Sequence, residues 1–256
     1  MYIRRSQRLR RVYAVLLAAI TLGLSAQSLT GMAADDPYAR ERAAMLMAIR
    51  ESVRNSSGYT GLSHLSDKTM SAMGTVPREE FVLPDYRHIA YENTALPIAE
   101  GQTISQPLIV ALMTELLDPQ PTDVVLEVGT GSGYQAAVLS GLVSRVYSVE
   151  IIAPLASNAT AVLERLGYDN VTVRAGDGYA GWAEHAPFDA IIVTAAAPEI
   201  PPPLLQQLKP GGKLVIPVNV PDGHQDLMVV EVNTSGETEK DSKLPVRFVP
   251  LTRSGQ

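Results

Sequence analysis

Apolar residues cluster in the second half of the chain as short runs rich in valine and isoleucine, separated by longer segments of mixed polarity. Such runs predict strands buried on both faces, as in a parallel sheet, and the segments between them have the length of connecting helices. The alternation predicts an α/β fold with one doubly wound, Rossmann-like sheet. The predicted strands are Val124–Val128, Arg145–Glu150, Val171–Arg174, Ala190–Thr194 and Lys213–Val218, and the predicted helices are Tyr134–Leu142, Pro154–Leu166 and Pro203–Leu208.

The C-terminal part carries two further apolar runs, Gln225–Asn233 and Val246–Leu251. We expect them to form antiparallel strands at the edge of the sheet. The segment Asn233–Lys243 between them is polar and contains glycine, which predicts a loop. The sheet is therefore expected to be mostly parallel with antiparallel edge strands.

The chain before the sheet is predicted to be a helical N-terminal extension. Asn55–Ser63 is rich in glycine and serine and predicts a loop, and Ser66 is a possible N-cap of the helix that follows it. Ser105 could likewise cap a helix that Pro107 opens. The predicted helices in this part are Pro37–Arg54, Ser66–Met73 and Pro107–Leu117.

The first 34 residues differ from the rest. Five arginines precede residue 12, the apolar run VYAVLLAAITLGL follows, and small residues come after it, as in a secretory signal peptide. The run is shorter than the ~20 residues that span a bilayer, so no stable membrane insertion is expected after cleavage. We expect a targeting arm (1–34) and one domain (35–256), with a helical extension (35–104) and a sheet core (105–256). The protein would then be exported to the periplasm; a start at Met32 would instead make it cytoplasmic.

Charge and composition narrow the possible chemistry. Without the five N-terminal arginines, 16 basic residues (21 minus 5) face 27 acidic ones, a charge of −11. Such an acidic body argues against a nucleic-acid partner, because phosphate binding needs clustered Lys and Arg. The chain has no cysteine, and His88 and His185 lack metal-ligand spacing, so no metal is expected. The composition leaves the oligomeric state open; we favour a monomer.

A glycine-rich loop follows the first predicted strand of the sheet. Gly129, Gly131 and Gly133 stand between an apolar run and a helical segment, where a doubly wound sheet meets a nucleoside cofactor. A dinucleotide site favours the spacing G-x-G-x-x-G. Here the third glycine comes one residue early, which suits a cofactor without a pyrophosphate, such as S-adenosylmethionine.

Three acidic residues near strand ends are candidate cofactor contacts, since ligands of open α/β sheets lie beyond the carboxyl ends of the strands. Glu150 could accept hydrogen bonds from both ribose hydroxyls. Asp177, within Gly176-Asp-Gly178, could accept one from the adenine amine, although Asp-Gly is also a common turn. Glu127 precedes the glycine loop and could either contact the ligand or orient the loop amides.

Several segments together resemble the protein-L-isoaspartate O-methyltransferase family. They are VPREEFV, YENTALPIAEGQTISQP, VLEVGTGSGY, GDG, FDAIIVTAAAPEIP, LKPGGKLVIPV and RFVPL, spread from about Val76 to Leu251. The glycine loop is common to many methyltransferases, whereas the segment from Leu96 to Pro107 is far more specific to this family. The N-terminal arm departs from the family, whose members are usually cytosolic.

The resemblance implies an enzyme that uses S-adenosylmethionine, releases S-adenosylhomocysteine and methylates the free α-carboxylate of isoaspartyl residues in damaged proteins or peptides. Methyl transfer to an ionised carboxylate needs alignment but no general base. Ser105 would act catalytically by positioning that carboxylate. The residues expected to bind substrate are Leu96, Pro97, Thr103 and Ser105, and those expected to bind cofactor are Gln102, Thr103, Ile104, Glu127, Gly129, Gly131, Gly133, Glu150, Asp177 and Gly178.

Three alternatives stay open from the sequence. A methyltransferase of the same fold could act on another carboxylate or on a small molecule. A nicotinamide-dependent oxidoreductase would share the fold but would be expected to carry the other glycine spacing. A non-catalytic binding module would be expected to have lost Ser105, Glu150 or Asp177, and all three are present.

Overall fold

The computed structural model describes residues 36–233 and 235–253. The chain divides into two compact units, Met1–Ala39 and Arg40–Gln256. Residues 36–39 are the only described part of the first unit, so the predicted targeting arm lies outside the described residues. The sheet and the cavity at its edge belong to the second unit. Within the described ranges, no helix is both long and apolar enough to cross a membrane.

Seven strands form the main sheet, and two short strands form a separate hairpin. The strands are β1 (Leu96–Pro97), β2 (Thr103–Ile104), β3 (Val124–Val128), β4 (Arg145–Glu150), β5 (Val171–Ala175), β6 (Phe188–Val193), β7 (Leu208–Asn219), β8 (Gln225–Val232) and β9 (Thr238–Val246). The main sheet has the order β5-β4-β3-β6-β7-β8-β9. Strands β3 to β7 are parallel, β8 is antiparallel to β7, and β9 is antiparallel to β8. The predicted fold class is confirmed.

The helices that pack against the sheet follow the βα alternation expected from the sequence. The α-helices are α1 (Ala39–Thr60), α2 (Asp67–Thr75), α3 (Pro107–Leu117), α4 (Tyr134–Ser140), α5 (Ala153–Arg165) and α6 (Pro202–Gln206). Short 3-10 turns are found at Arg78–Phe81, Pro84–Ile89, Ala99–Gly101, Gly178–Ala180 and Ala183–His185. Leu126, Ile191 and Leu214 in the central strands are fully buried. The sheet therefore gains its stability by burying apolar surface on both faces.

Helix α1 is longer than predicted, because the expected loop Asn55–Ser63 continues it as far as Thr60. The Ser56 and Thr60 hydroxyls donate to carbonyls of the preceding turn, and Thr60 is buried. Gly61, at φ 73°, then ends the helix. Burial and local hydrogen bonds thus outweigh the weak helix propensity of serine and glycine here.

The last strand was predicted in the wrong place. The polar segment expected to be a loop contains β9, whereas residues after Val246 leave the main sheet. Strand β9 pairs with β8 through its backbone and exposes most of its side chains, so it needs no apolar run. Strand β7 also begins earlier than predicted, at Leu208, and α6 ends at Gln206.

Serine N-caps were predicted for two helices. Ser66 accepts a hydrogen bond from the Thr69 amide, so the predicted cap of α2 is confirmed. The cap position of α3 is occupied by Gln106, with no side-chain hydrogen bond. The expectation that Ser105 caps α3 is therefore wrong, and its hydroxyl is available for another role.

Candidate active site

A cavity of about 280 Å³ lies at the carboxyl edge of the parallel strands. Strand β3 has β4 on one side and β6 on the other, so the chain order reverses at this point, where open α/β sheets bind ligands. One wall of the cavity is formed by the glycine loop and the end of β4; we call it the glycine-loop wall. Residues 102–105 form a second part of the lining, which we call the Ser105 wall. The predicted site residues that line the cavity are Gln102, Thr103, Ile104, Ser105, Gly129, Gly131, Glu150 and Gly178.

The glycine loop has a backbone that other residues would adopt only with strain. Gly129, Gly131 and Gly133 have φ values of 97°, 53° and 89°. A Cβ on Gly129 would lie 2.5 Å from the Thr194 hydroxyl oxygen, which itself donates to the Gly129 carbonyl. A side chain at Gly129 is therefore excluded by both conformation and space. Gly133 does not line the cavity; it gives close packing against Leu163 instead.

Glu150 holds the glycine loop in shape. Its side chain is 5% exposed and lines the cavity at the end of β4. One carboxylate oxygen accepts from the Gly131 amide at 2.8 Å, and the other accepts from the Ile152 amide at 3.0 Å. Each carboxylate oxygen has a second lone pair, so Glu150 can still accept hydrogen bonds from ligand hydroxyls.

Glu127 lies beneath the loop and away from the cavity wall. It is fully buried on β3 and accepts a hydrogen bond from the Ser148 hydroxyl, which also bonds the hydroxyl of Thr130 in the loop. Burial raises the pKa of Glu127 to about 8. The structure thus connects Glu127 to the loop through two hydroxyl groups and does not place it on the cavity surface.

Asp177 and Gly178 follow β5 at the same edge. Asp177 accepts a hydrogen bond from the Tyr179 amide at 2.9 Å and so begins a 3-10 turn, as Asp-Gly sequences often do. Gly178 lines the cavity, and a Cβ there would lie 2.4 Å from Val128. Asp177 is only partly buried and does not line the cavity, so its predicted adenine contact stays a prediction.

The Ser105 wall contains only one short strand, β2, and otherwise lacks regular secondary structure. Leu96 pairs with Ile104, and Pro97 with Thr103, in a two-residue antiparallel hairpin. Leu96 and Pro97 therefore support the wall but do not line the cavity. Ser105 does line it, is partly buried, and its hydroxyl has no hydrogen-bond partner among residues 36–233 and 235–253.

Comparison with known proteins assigns the family. The family model for protein-L-isoaspartate(D-aspartate) O-methyltransferase matches residues 57–256. The chain belongs to this methyltransferase family. It is 55% identical over 243 residues to protein-L-isoaspartate O-methyltransferase 2 of Syntrophobacter fumaroxidans, covering 95% of this chain and 98% of that relative.

Solved structures agree with this membership of the methyltransferase family. A protein-L-isoaspartate O-methyltransferase superposes with a TM-score of 0.71 and 32% identity over 82% of this chain, which spans 65% of that longer chain. A Plasmodium falciparum structure, described as the same kind of enzyme and in complex with S-adenosyl-L-homocysteine, gives a TM-score of 0.65. It is 26% identical and covers 81% of this chain and 98% of its own.

The methyltransferase cavity includes residues that our sequence reasoning did not single out. The C-terminal segment passes the cavity because Ala196 exchanges backbone hydrogen bonds with Val249 and Leu251 at 2.8 Å each. The RFVPL motif is the sequence signal for this segment, but its apolar character predicts a strand of the main sheet, which the structure does not form there. Within the described residues, no group of three His, Cys, Asp or Glu side chains could hold a metal ion. The additional lining residues include Thr130, Ser132, Tyr134, Gln135, Ile152, Thr194, Val249, Pro250, Leu251 and Thr252.

Proposed function

We propose that this methyltransferase esterifies the free α-carboxylate of L-isoaspartyl residues in damaged proteins or peptides, with S-adenosylmethionine as the methyl donor. The observation that carries the proposal is that both walls line one cavity. A strained glycine loop fixed by Glu150 lines it together with a serine whose hydroxyl has no hydrogen-bond partner in the described chain. The family membership and the neighbour in complex with S-adenosyl-L-homocysteine support the same conclusion.

The glycine-loop wall fits the proposed cofactor. Gly129 and Gly178 lie where a Cβ would clash with Thr194 and Val128, so bare backbone forms the cavity surface there, and the buried Glu150 carboxylate offers acceptor positions for ribose hydroxyls. When bound, the cofactor supplies a methyl group on a positively charged sulfur. Gln102 and Ile104 belong to the same cavity and would close over the opposite side of the cofactor.

Ser105 would bind and orient the substrate. An isoaspartyl α-carboxylate is ionised at pH 7, so it can attack the methyl carbon without a base. The Ser105 hydroxyl would donate to one carboxylate oxygen and leave the other directed at the methyl group, while the cavity walls exclude water. Thr103, which also lines the cavity, could donate a second hydrogen bond. The next backbone nitrogen can then attack the ester carbonyl, lose its proton and expel methanol, which gives a succinimide without further help from the enzyme.

The test is methyl transfer by the purified full-length protein to two peptides that differ only in the linkage of one aspartyl residue. We expect the isoaspartyl peptide to be esterified and the normal aspartyl peptide to react poorly, because its free carboxylate lies at the end of a side chain and not on the backbone carbon. Release of S-adenosylhomocysteine and the mass of the peptide report the reaction. Equal rates on both peptides, or transfer to a small carboxylic acid alone, would favour a different substrate for the same fold.

We further propose that residues 1–34 direct export to the periplasm. The alignment with the Syntrophobacter relative covers 243 of the 256 residues, so only 13 residues are unaligned. Much of the 34-residue segment must therefore be aligned with residues of that relative. A shared arm argues against a cytoplasmic start at Met32. Cell fractionation followed by mass spectrometry of the N-terminus tests this. A mature chain that begins between residues 27 and 35 in the periplasmic fraction supports export, and a cytosolic chain beginning at or just after Met32 contradicts it.

A further inference from the structure

Arg78 is a buried cation behind the Ser105 wall. It belongs to the VPREEF motif, begins the 3-10 turn Arg78–Phe81, and is 0% exposed. Within the described ranges, no carboxylate lies within ion-pair distance of its guanidinium. A buried charge without a counter-charge is costly, and an apolar side chain of similar size often stabilises a fold as well or better. The presence of arginine at this position therefore calls for a reason other than stability.

The contacts of Arg78 indicate that reason. Its Nη2 donates to the backbone carbonyl of Ser105 at 2.7 Å, and its Nε donates to the carbonyl of Ala90 at 2.7 Å. One planar group thus joins two irregular segments, and one of them carries the serine proposed to bind substrate. The guanidinium carbon lies 4.7 Å from the centroid of the Tyr134 ring, which lines the cavity.

Two polar atoms of this cluster make no hydrogen bond, although Tyr134, beside the guanidinium, lines the cavity. Arg78 Nη1 and the Tyr134 hydroxyl are both buried and have no hydrogen-bond partner in the described part of the chain. Arginine stays protonated in proteins, so the charge persists when the site is empty. A substrate carboxylate that enters beside Ser105 would meet a serine fixed from behind and a positive charge that no protein carboxylate neutralises.

We infer that Arg78 is a positioning residue for the methyl-transfer reaction, which holds Ser105 so that its hydroxyl faces the cavity and contributes a positive charge behind the substrate carboxylate. The inference rests on the proposed function. It assigns Arg78 no contact with the reacting atoms. Its effect should therefore appear in the alignment of the substrate and should depend on Ser105.

The experiment compares Arg78→Lys with Glu115→Gln in the full-length protein. Lysine keeps the charge but cannot span both carbonyls, so we expect kcat/KM for an isoaspartyl peptide to fall about 10- to 100-fold. The dissociation constant of S-adenosylhomocysteine, measured by calorimetry, should change less than threefold. Glu115 is the matched control, because its carboxylate ties α2 to α3 through Ser66 and Thr69 without touching residue 105. Its substitution should lower Tm and leave kcat/KM within twofold.

A double substitution separates positioning from general support. If Arg78 acts through Ser105, Arg78→Lys should have little further effect on kcat in a Ser105→Ala background. Multiplicative losses would overturn the inference, as would an Arg78→Lys enzyme with at least half of the wild-type kcat/KM. A variant that loses cofactor binding and its thermal transition together would show a merely structural role and would also overturn it. If the wild-type protein does not esterify the isoaspartyl peptide at all, the proposed function fails, and this result is distinct from the others.

Discussion

The two walls of the cavity are built by different means. The glycine-loop wall continues from the central strands β3 and β4, and its shape is fixed by backbone conformation and by Glu150, which binds two amides. The Ser105 wall consists of β2 and the residues on either side of it, and side chains from elsewhere hold it. Arg78 binds the Ser105 carbonyl, and Asn93 fixes the start of α3 just after the wall by accepting from the Leu108 amide.

This difference suggests that the two walls have different roles, one in cofactor binding and the other in substrate alignment. A wall that is part of the sheet is fixed before any ligand arrives and is suited to bind the cofactor with high affinity. A wall held by a few side-chain contacts is more easily displaced, so small changes there should affect alignment before they affect binding. Substitutions on the two walls should therefore be separable into effects on cofactor affinity and effects on turnover.

The largest effect is expected at Gly129. Its φ of 97° and the 2.5 Å approach of a Cβ to the Thr194 oxygen mean that Gly129→Ala must distort the loop. We expect a cost of about 4 kcal/mol, seen as roughly 1,000-fold weaker binding of S-adenosylhomocysteine by calorimetry. Gly141→Ala is the control, because nothing lies within 4 Å of a Cβ there, and it should bind normally. Normal binding by Gly129→Ala would mean that the loop is not rigid.

Glu127 tests whether the core beneath the same wall is sensitive to pH. Burial raises its pKa from 4.5 to about 8, so the folded protein keeps the proton to higher pH than the unfolded chain does. The stabilisation from the neutral carboxyl is complete below about pH 4.5 and is lost as the pH rises to about 8. Between pH 5 and 8 this amounts to about 3 kcal/mol. Denaturant unfolding of Glu127→Gln should lack this decline, and parallel pH profiles for variant and wild type would contradict the expectation.

Glu150 should affect affinity more than turnover. Glu150→Ala removes the acceptor for the Gly131 and Ile152 amides as well as the proposed ribose contact. We expect the affinity for S-adenosylhomocysteine to fall by about 1.5–3 kcal/mol, with kcat at saturating cofactor much less changed. Glu150→Gln keeps one acceptor oxygen and should lie between the alanine variant and the wild type. A fall in kcat without a loss of affinity would reverse the roles of the two walls.

Substitution of Ser105 should affect turnover more than cofactor affinity, and its free-energy cost should be smaller than that at Glu150. Loss of one hydrogen bond to a charged carboxylate, about 1.5 kcal/mol, predicts roughly tenfold lower kcat for Ser105→Ala, with unchanged affinity for S-adenosylhomocysteine. Ser71→Ala removes an exposed hydroxyl of α2 outside the cavity and serves as the matched control, with unchanged steady-state kinetics expected. If Ser105→Ala lowered Tm alone and left turnover intact, Ser105 would be a structural residue.

The sequence predicted the parallel strands well because the central ones are buried and their own apolar composition shows it. The bounds predicted for β3 and β4 agree with the structure, and the glycine loop follows β3 as expected. Strand β9 was missed because its side chains face solvent and its stability comes from backbone pairing with β8. The continuation of α1 to Thr60 depends on burial, which local composition does not show.

The sequence predicts the Ser105 wall only through the family resemblance. Its short hairpin has too few residues for a periodic pattern, and its supports come from distant parts of the chain. The Arg78 side chain reaches a carbonyl 27 residues away, and no spacing rule predicts that contact. Conversely, Glu127 and Asp177 lie next to correct motifs but off the cavity surface, because position along the chain does not determine the direction of a side chain.

The edge of the sheet at β9 has a consequence for an enzyme whose proposed partners are damaged chains. Any unpaired strand of a partner chain could extend an open sheet edge and lead to aggregation. Beyond β9 the sheet has no further strand in the described chain, but this edge carries Lys240 and Lys243 and is interrupted by Pro245, which has no amide to donate. Charge and proline discourage strand addition. Strand addition at the β9 edge of the sheet is therefore disfavoured.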